Sequence, residues 1–174
     1  MSDRPRGALQ RFAWPNYLVA ILLILLPLLD LVTNVWPVRP GTLEWRYGTL
    51  GLLSGFTLTP LLGMVLATAS AALLDHRVVQ RAIGIVNLLA AVAFAVVVVL
   101  FALDWLQMRA AVQAAQRQSM DVGALKALAK HVLVGLALGW LGIVGLRASR
   151  REPGAGRRRS ATSLMHEPRA APES

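Results

Sequence analysis

Four long apolar runs alternate with short polar breaks along this chain. The first goes from Tyr17 to Trp36, with Trp14 and Tyr17 at one end and Trp36 at the other. Aromatic residues at both ends of an apolar run suit the two headgroup layers of a bilayer. A cleaved signal peptide would have a shorter apolar region followed by small residues. Asn34-Val35-Trp36-Pro37 offers none, so the run reads as an uncleaved helix. The break from Pro37 to Arg46 contains Pro37, Pro40 and Gly41, all helix breakers. The second run covers residues 47–74 and closes at Asp75-His76-Arg77. The third covers Ala82 to Leu103. Its stretch Val96–Val99 would suit a buried strand in water, but an isolated strand cannot satisfy its backbone groups in lipid. The fourth run is the shortest, with 15 charge-free residues from Val132 to Leu146. Lys126 and Lys130 can snorkel outward, which lets this helix begin earlier and still span. Apolar runs of about 20 residues read as spanning helices. The pattern therefore predicts an all-α polytopic membrane protein with four transmembrane helices, over about residues 14–36, 47–74, 82–118 and 121–148.

The segment between the third and fourth runs is more than a loop. No Gly or Pro occurs from Asp104 to Val122, and Ala, Gln, Leu, Met and Arg dominate, all good helix formers. Phe101, Trp105, Met108, Val112 and Ala115 share one face, and Leu125, Leu128 and Val132 continue an apolar stripe after it. Ser119 or Asp121 can cap a new helix. The expectation is a short helical hairpin outside the membrane, turning near Ser119 to Asp121, with an apolar face that holds its arms together or meets another protein.

Charge fixes the orientation. Residues 1–12, the 75–81 turn and the chain after the fourth run share one side and contain twelve Lys and Arg; the opposite side has six. The positive-inside tendency places both termini in the cytoplasm, in a multi-pass protein of a bacterial inner (plasma) membrane. Residues 1–12 form a basic N-terminal segment, 13–149 the membrane domain, and 150–174 a disordered basic tail poor in apolar residues. The net charge of +9 sits largely in these flanks, where it meets anionic lipid headgroups. No aromatic residues interleave the basic tail as a strand-binding groove would require, so no nucleic-acid partner is expected. The absence of cysteine excludes disulfides, thiolate metal sites and cysteine nucleophiles.

Candidate chemistry is sparse. Asp30 is the ionisable residue well inside a run, and an intramembrane carboxylate is a candidate site because charge is costly there. It shares a helix face with Asn16, Ala20, Leu23, Pro27 and Asn34, and Pro27 is placed to kink the helix beside it. A proton or cation site would need partners such as Thr57, Thr59 or Asn87. The competing reading has Asp30 reaching the outer headgroups, or pairing with Arg39 or Arg46. The second run has small residues at every fourth position, Gly51, Gly55, Thr59, Gly63, Ala67 and Ala71, and the fourth run contains Gly135 and Gly139, followed by Gly142 and Gly145. Such stripes let helix backbones approach closely in lipid. His76, His131 and His166 lie at boundaries or in the tail without a ligand three or four residues away, so no metal site is expected. No nucleotide-binding glycine motif, nucleophile elbow or zinc-helix motif occurs, so neither a cofactor nor catalysis is expected.

Four helices, the segment Pro60-Leu61-Leu62-Gly63 and a helical, Gln-rich insertion between the last two helices resemble the HpsJ-like membrane proteins, which are associated with polysaccharide secretion. The resemblance covers residues 14–147 and implies an accessory role rather than an enzyme. The expected function is a structural or accessory subunit of a membrane complex, with a membrane protein partner or further copies of itself. The alternative is a small proton- or ion-coupled transporter that uses Asp30.

Overall fold

The computed structural model describes residues 13–150. The expected N-terminal segment and basic tail lie outside the described residues. Five helices and no strand occur among the described residues: α1 (Ala13–Asn34), α2 (Leu43–Phe56), α3 (Leu58–Leu73), α4 (Arg77–Ala111) and α5 (Ala114–Ser149). By length and composition α1, α4 and α5 can each cross a membrane, and α2 with α3 makes a fourth span if the bent pair is one span.

The chain that reads as one run over residues 47–74 is two helices bent by 46° at Thr57, and it begins earlier, at Leu43. Pro60 is the cause. It has no N–H to give to the Phe56 carbonyl, and its ring crowds that same carbonyl one turn below. The helix therefore ends at Phe56 and restarts at Leu58, within whose first turn proline is tolerated. The hydroxyls at the bend turn back on their own helix, Ser54 Oγ donating to the Gly51 carbonyl at 2.7 Å and Thr57 Oγ1 to the Ser54 carbonyl at 3.2 Å. By contrast α1 continues as one helix through Pro27.

The far end of α3 stops on Asp75, whose φ of 53° is left-handed. The His76 N–H reaches the Ala71 carbonyl at 3.0 Å and the Asp75 N–H reaches Ala72 at 3.4 Å. This paired closure satisfies carbonyls that the helix end leaves free, and aspartate is one of the few residues that tolerate the conformation it needs.

The α4–α5 pair is the backbone of the fold. These antiparallel helices of 35 and 36 residues are joined by Val112 and Gln113 alone. The turn comes earlier than the sequence suggests, and Ser119 and Asp121 lie inside α5 rather than at its start. Arg117 Nε donates to the Val112 carbonyl at 3.1 Å, satisfying a group the turn exposes. The seam on α4 keeps a heptad rhythm through Gln80, Gly84, Asn87, Phe94, Phe101 and Trp105. On α5 it is Ala124, Ala127, His131, Val134 and Leu138 that turn inward. Of the expected stripe of Leu125, Leu128 and Val132, Leu128 is half-buried against Phe101, Ala124 and Ala127, whereas Leu125 and Val132 are exposed. The correction has a physical cause. Lipid tails are as apolar as leucine, so small residues gain more from facing a helix than large ones do. Leu29, Leu62, Leu89, Leu133 and Trp140 accordingly point outward, each at least 60% exposed.

Glycine sets how close the helices come. A Cβ at Gly63 would sit 2.8 Å from the Ala20 carbonyl oxygen of α1, and one at Gly142 would sit 2.7 Å from Leu88 and 3.0 Å from the Gly84 carbonyl. Gly135 and Gly139 face Phe94 and Ala91 at 3.3 and 3.7 Å, so both lie in the α4–α5 seam. We predict that Gly63→Leu and Gly142→Leu each destabilise the protein by about 1–3 kcal/mol through overpacking. Thermal unfolding in detergent measures this, and unchanged transitions in both variants would contradict the packing described.

Candidate functional site

The residues proposed for an intramembrane polar site are not brought together. Asp30 and Asn34 lie on the exposed surface near the end of α1, whereas Asn87 is fully buried in α4. Asn34 Nδ2 and Thr33 Oγ1 donate to the backbone carbonyl of Asp30, at 2.7 and 2.9 Å, which caps the helix end. Neither touches its carboxylate, and among the described residues no side chain pairs with that group. Arg46, one of the expected partners of Asp30, is engaged elsewhere.

Arg46 belongs to a polar cluster at the α4–α5 turn end. Its guanidinium forks onto Asp104, with Nη2–Oδ1 at 2.9 Å and Nε–Oδ2 at 3.3 Å, and ties α2 to α4. Two parallel bonds of this kind hold planar geometry as well as charge. Asp104 is 5% exposed, so the pair is half in and half out of solvent. At the next residue, Trp105 Nε1 donates to Asp121 Oδ1 at 3.0 Å, and Arg109 pairs with the other oxygen at 3.2 Å, which ties α4 to α5. Beneath them Tyr47 stacks on Phe101, ring centroids 5.2 Å apart, over Ala124 and Ala127. Asp121 thus acts as a clamp between the arms rather than a helix cap. Sequence reasoning missed Asp104 and Asp121; their signal is an acidic residue beside the apolar stripe of a basic segment.

His131 was also misplaced. It lies inside the α4–α5 seam, fully buried, with Phe94 and Phe101 at ring distances of 5.9 and 5.8 Å. Its two ring nitrogens and both polar atoms of Asn87 are buried without a hydrogen-bond partner among the described residues. By register along the antiparallel pair the two residues lie on separate turns, so they form no common site. No group of three or more His, Asp or Glu converges among the described residues.

A further feature is a groove of about 450 Å³ between α2 and α5. Gly48, Gly51 and Gly55 form one wall; Gly123, Lys126 and Lys130 form the other. A Cβ at Gly48, Gly55 or Gly123 would meet nothing within 4 Å, and at Gly51 only a Phe101 ring atom at 4.0 Å. The expected packing stripe on the second run is therefore divided. Gly63 is used within the protein, but Gly55 is not and Gly51 barely is.

Comparison with known protein families, characterised proteins and solved structures finds no match to this chain.

The Arg46–Asp104 pair yields a test. Removing one partner strands a buried carboxylate, whereas replacing both by apolar residues of similar size removes the cost. Arg46→Met is predicted to lower the unfolding temperature in detergent, and Arg46→Met with Asp104→Leu to recover most of the loss. A double variant at least as unstable as Arg46→Met would refute the pairing.

Proposed function

We propose that the protein is a non-catalytic accessory subunit of a membrane complex, and that it receives a transmembrane helix of its partner in the groove between α2 and α5. The observation that supports this reading is the set of unpartnered glycines. Glycine on a spanning helix serves close backbone approach. At Gly63, Gly84 and Gly142 that approach is completed within the protein, whereas Gly48, Gly55 and Gly123 line an open groove with nothing against them. Lys126 and Lys130 on the rim would offer donors to carbonyl or carboxylate groups on the arriving helix. The likeness in layout to HpsJ-like proteins points the same way. The outward placement of Asp30 favours this reading over ion coupling, since a coupled carboxylate would face polar partners inside the bundle.

The reading takes the bent α2–α3 pair as one span, so that four spans leave both termini in the cytoplasm of a bacterial inner membrane. Each of α4 and α5 would be about 52 Å long at helical rise, against a hydrocarbon core of about 30 Å. The excess at the Val112–Gln113 end would carry the Asp104, Asp121 and Arg109 clamps above the outer face, stiff enough to present a surface to the partner.

Two experiments test this. Reporter fusions at Arg77 should read cytoplasmic and fusions at Thr42 and Val112 external; a cytoplasmic signal at Val112 would exclude four spans. Gly55→Leu should leave the unfolding temperature unchanged, because its side chain enters open space, yet abolish partner assembly at matched membrane abundance. Assembly that survives a filled groove would exclude the docking site.

A further inference from the structure

The groove between α2 and α5 has two cations on its α5 wall. Lys126 and Lys130 stand one turn apart there, and no carboxylate among the described residues pairs with either. Asp30 is in the converse position. It is exposed on α1, about 6 Å inward of Asn34 at helical rise, and no side chain among the described residues meets its carboxylate. A carboxylate set against lipid is costly, and a cation at the same depth relieves it. Asp75, Asp104 and Asp121 are each paired within the protein. Glu44 is not, but it lies in the first turn of α2, at the end of the span.

Asp30 and Lys130 lie at one depth. Trp45 Nε1 reaches the Val35 carbonyl at 3.0 Å, which levels the end of α1 with the start of α2. The chain descends through α2 and α3 beside α1, and Gly63 meets Ala20 further in. Five residues inward from Val35 and Trp45 are therefore Asp30 and Leu50. Leu50 packs against Phe101, and a Cβ at Gly51 would stand 4.0 Å from the same ring. The Phe101 ring meets that of His131 at 5.8 Å, and Lys130 is the adjoining residue. The two charges thus agree in depth to within about one helical turn. They do not meet inside one chain, because α1 makes no close approach to α5. The surfaces correspond as well. Leu22, Leu26, Asp30 and Asn34 recur at every fourth residue and are all exposed, so they form one stripe along α1. Gly48, Gly51 and Gly55 form the glycine wall of the groove, into which leucine side chains can enter. Leu29, about 100° round the helix from Asp30, stays toward lipid.

We propose that the helix received by the α2–α5 groove is α1 of a second copy of this chain, held by an ion pair from Asp30 of one copy to Lys126 and Lys130 of the other. Copies of one chain share an orientation in the membrane, so a match in depth within the chain is a match between chains. The inference rests on the reading of the groove as a helix-docking site and names its occupant.

The test co-expresses two full-length copies with different tags and measures their co-purification in mild detergent at matched membrane abundance. Wild-type copies should co-purify. Asp30→Lys in both copies should lower recovery by roughly tenfold or more, as reversal of one member of a close charge pair does. Lys126→Glu with Lys130→Glu in both copies should do the same. Mixing an Asp30→Lys copy with a copy that has Lys126→Glu and Lys130→Glu rebuilds the attraction in both contacts and should restore recovery, which misfolding of either variant would not permit. Wild-type copies that stay apart, charge variants that co-purify as wild type does, or a mixed pair that stays apart would each overturn the proposal. The groove itself is tested by Gly55→Leu. A different protein that is lost from Gly55→Leu but retained by all the charge variants would leave the groove a docking site and exclude the second copy as its occupant. If Gly55→Leu alters no assembly, the groove reading fails and this inference with it.

Discussion

Lipid gives helices no hydrophobic reason to associate, so this fold depends on how closely two backbones can come. The decisive approach is between α4 and α5, where Gly84 on one helix meets Gly142 and Gly145 on the other. A side chain on either would force the pair apart. Once that end is closed, the same seam carries Asn87, Phe94, His131 and Phe101 inward and ends at the turn, where Asp121 takes Trp105 and Arg109. The remaining helices are arranged around this pair: α2 is tied to it by Arg46 and Tyr47, and α1 is held at one remove through α3.

The bend at Pro60 decides what the periphery leaves open. In a straight helix the small residues from Gly51 to Ala71 would form one continuous stripe. The 46° change of direction divides it. Below the bend Gly63 turns to α1 and is closed by Ala20. Above it Gly48 and Gly55 face the space beside α5, which the protein does not fill. The same bend, at Thr57 and Pro60, backs a second cavity of about 290 Å³ whose other walls include Leu28 of α1 and Ala93 of α4. One proline thus stands behind both openings.

Much of the architecture is readable from the sequence. The helical character, the long apolar segments and the packing roles of Gly63, Gly135 and Gly139 follow from run length and small-residue spacing. The seam was legible only in part. From Phe101 to Met108 polar neighbours make the periodicity visible, but inside the membrane almost every residue is apolar, and a period in hydrophobicity disappears. Size carries the signal there: on α5 the small Ala124 and Ala127 close on Phe101 while the larger Leu125 faces outward, and of the expected stripe Leu128 alone joins them. Asp30 drew notice because it is charged within an apolar run, yet its position along α1 does not reveal which face it occupies. His131, Asp104 and Asp121 were obscured because their meaning lies in partners 16 to 58 residues away or across the seam.

The central claim is that the glycines facing the α2–α5 groove are covered by a partner, whereas those of the seam are covered by the protein itself. The chain has no cysteine, so a single cysteine can be placed at will. Short-range crosslinking in intact membranes, from Gly48→Cys or Gly55→Cys and in parallel from Leu29→Cys or Leu133→Cys on the lipid-facing surface, measures the claim directly. The account predicts one discrete adduct, of the same mass from both groove positions, and none from the lipid-facing ones. Adducts of equal yield from all four positions, or from Leu29 and Leu133 alone, would contradict it.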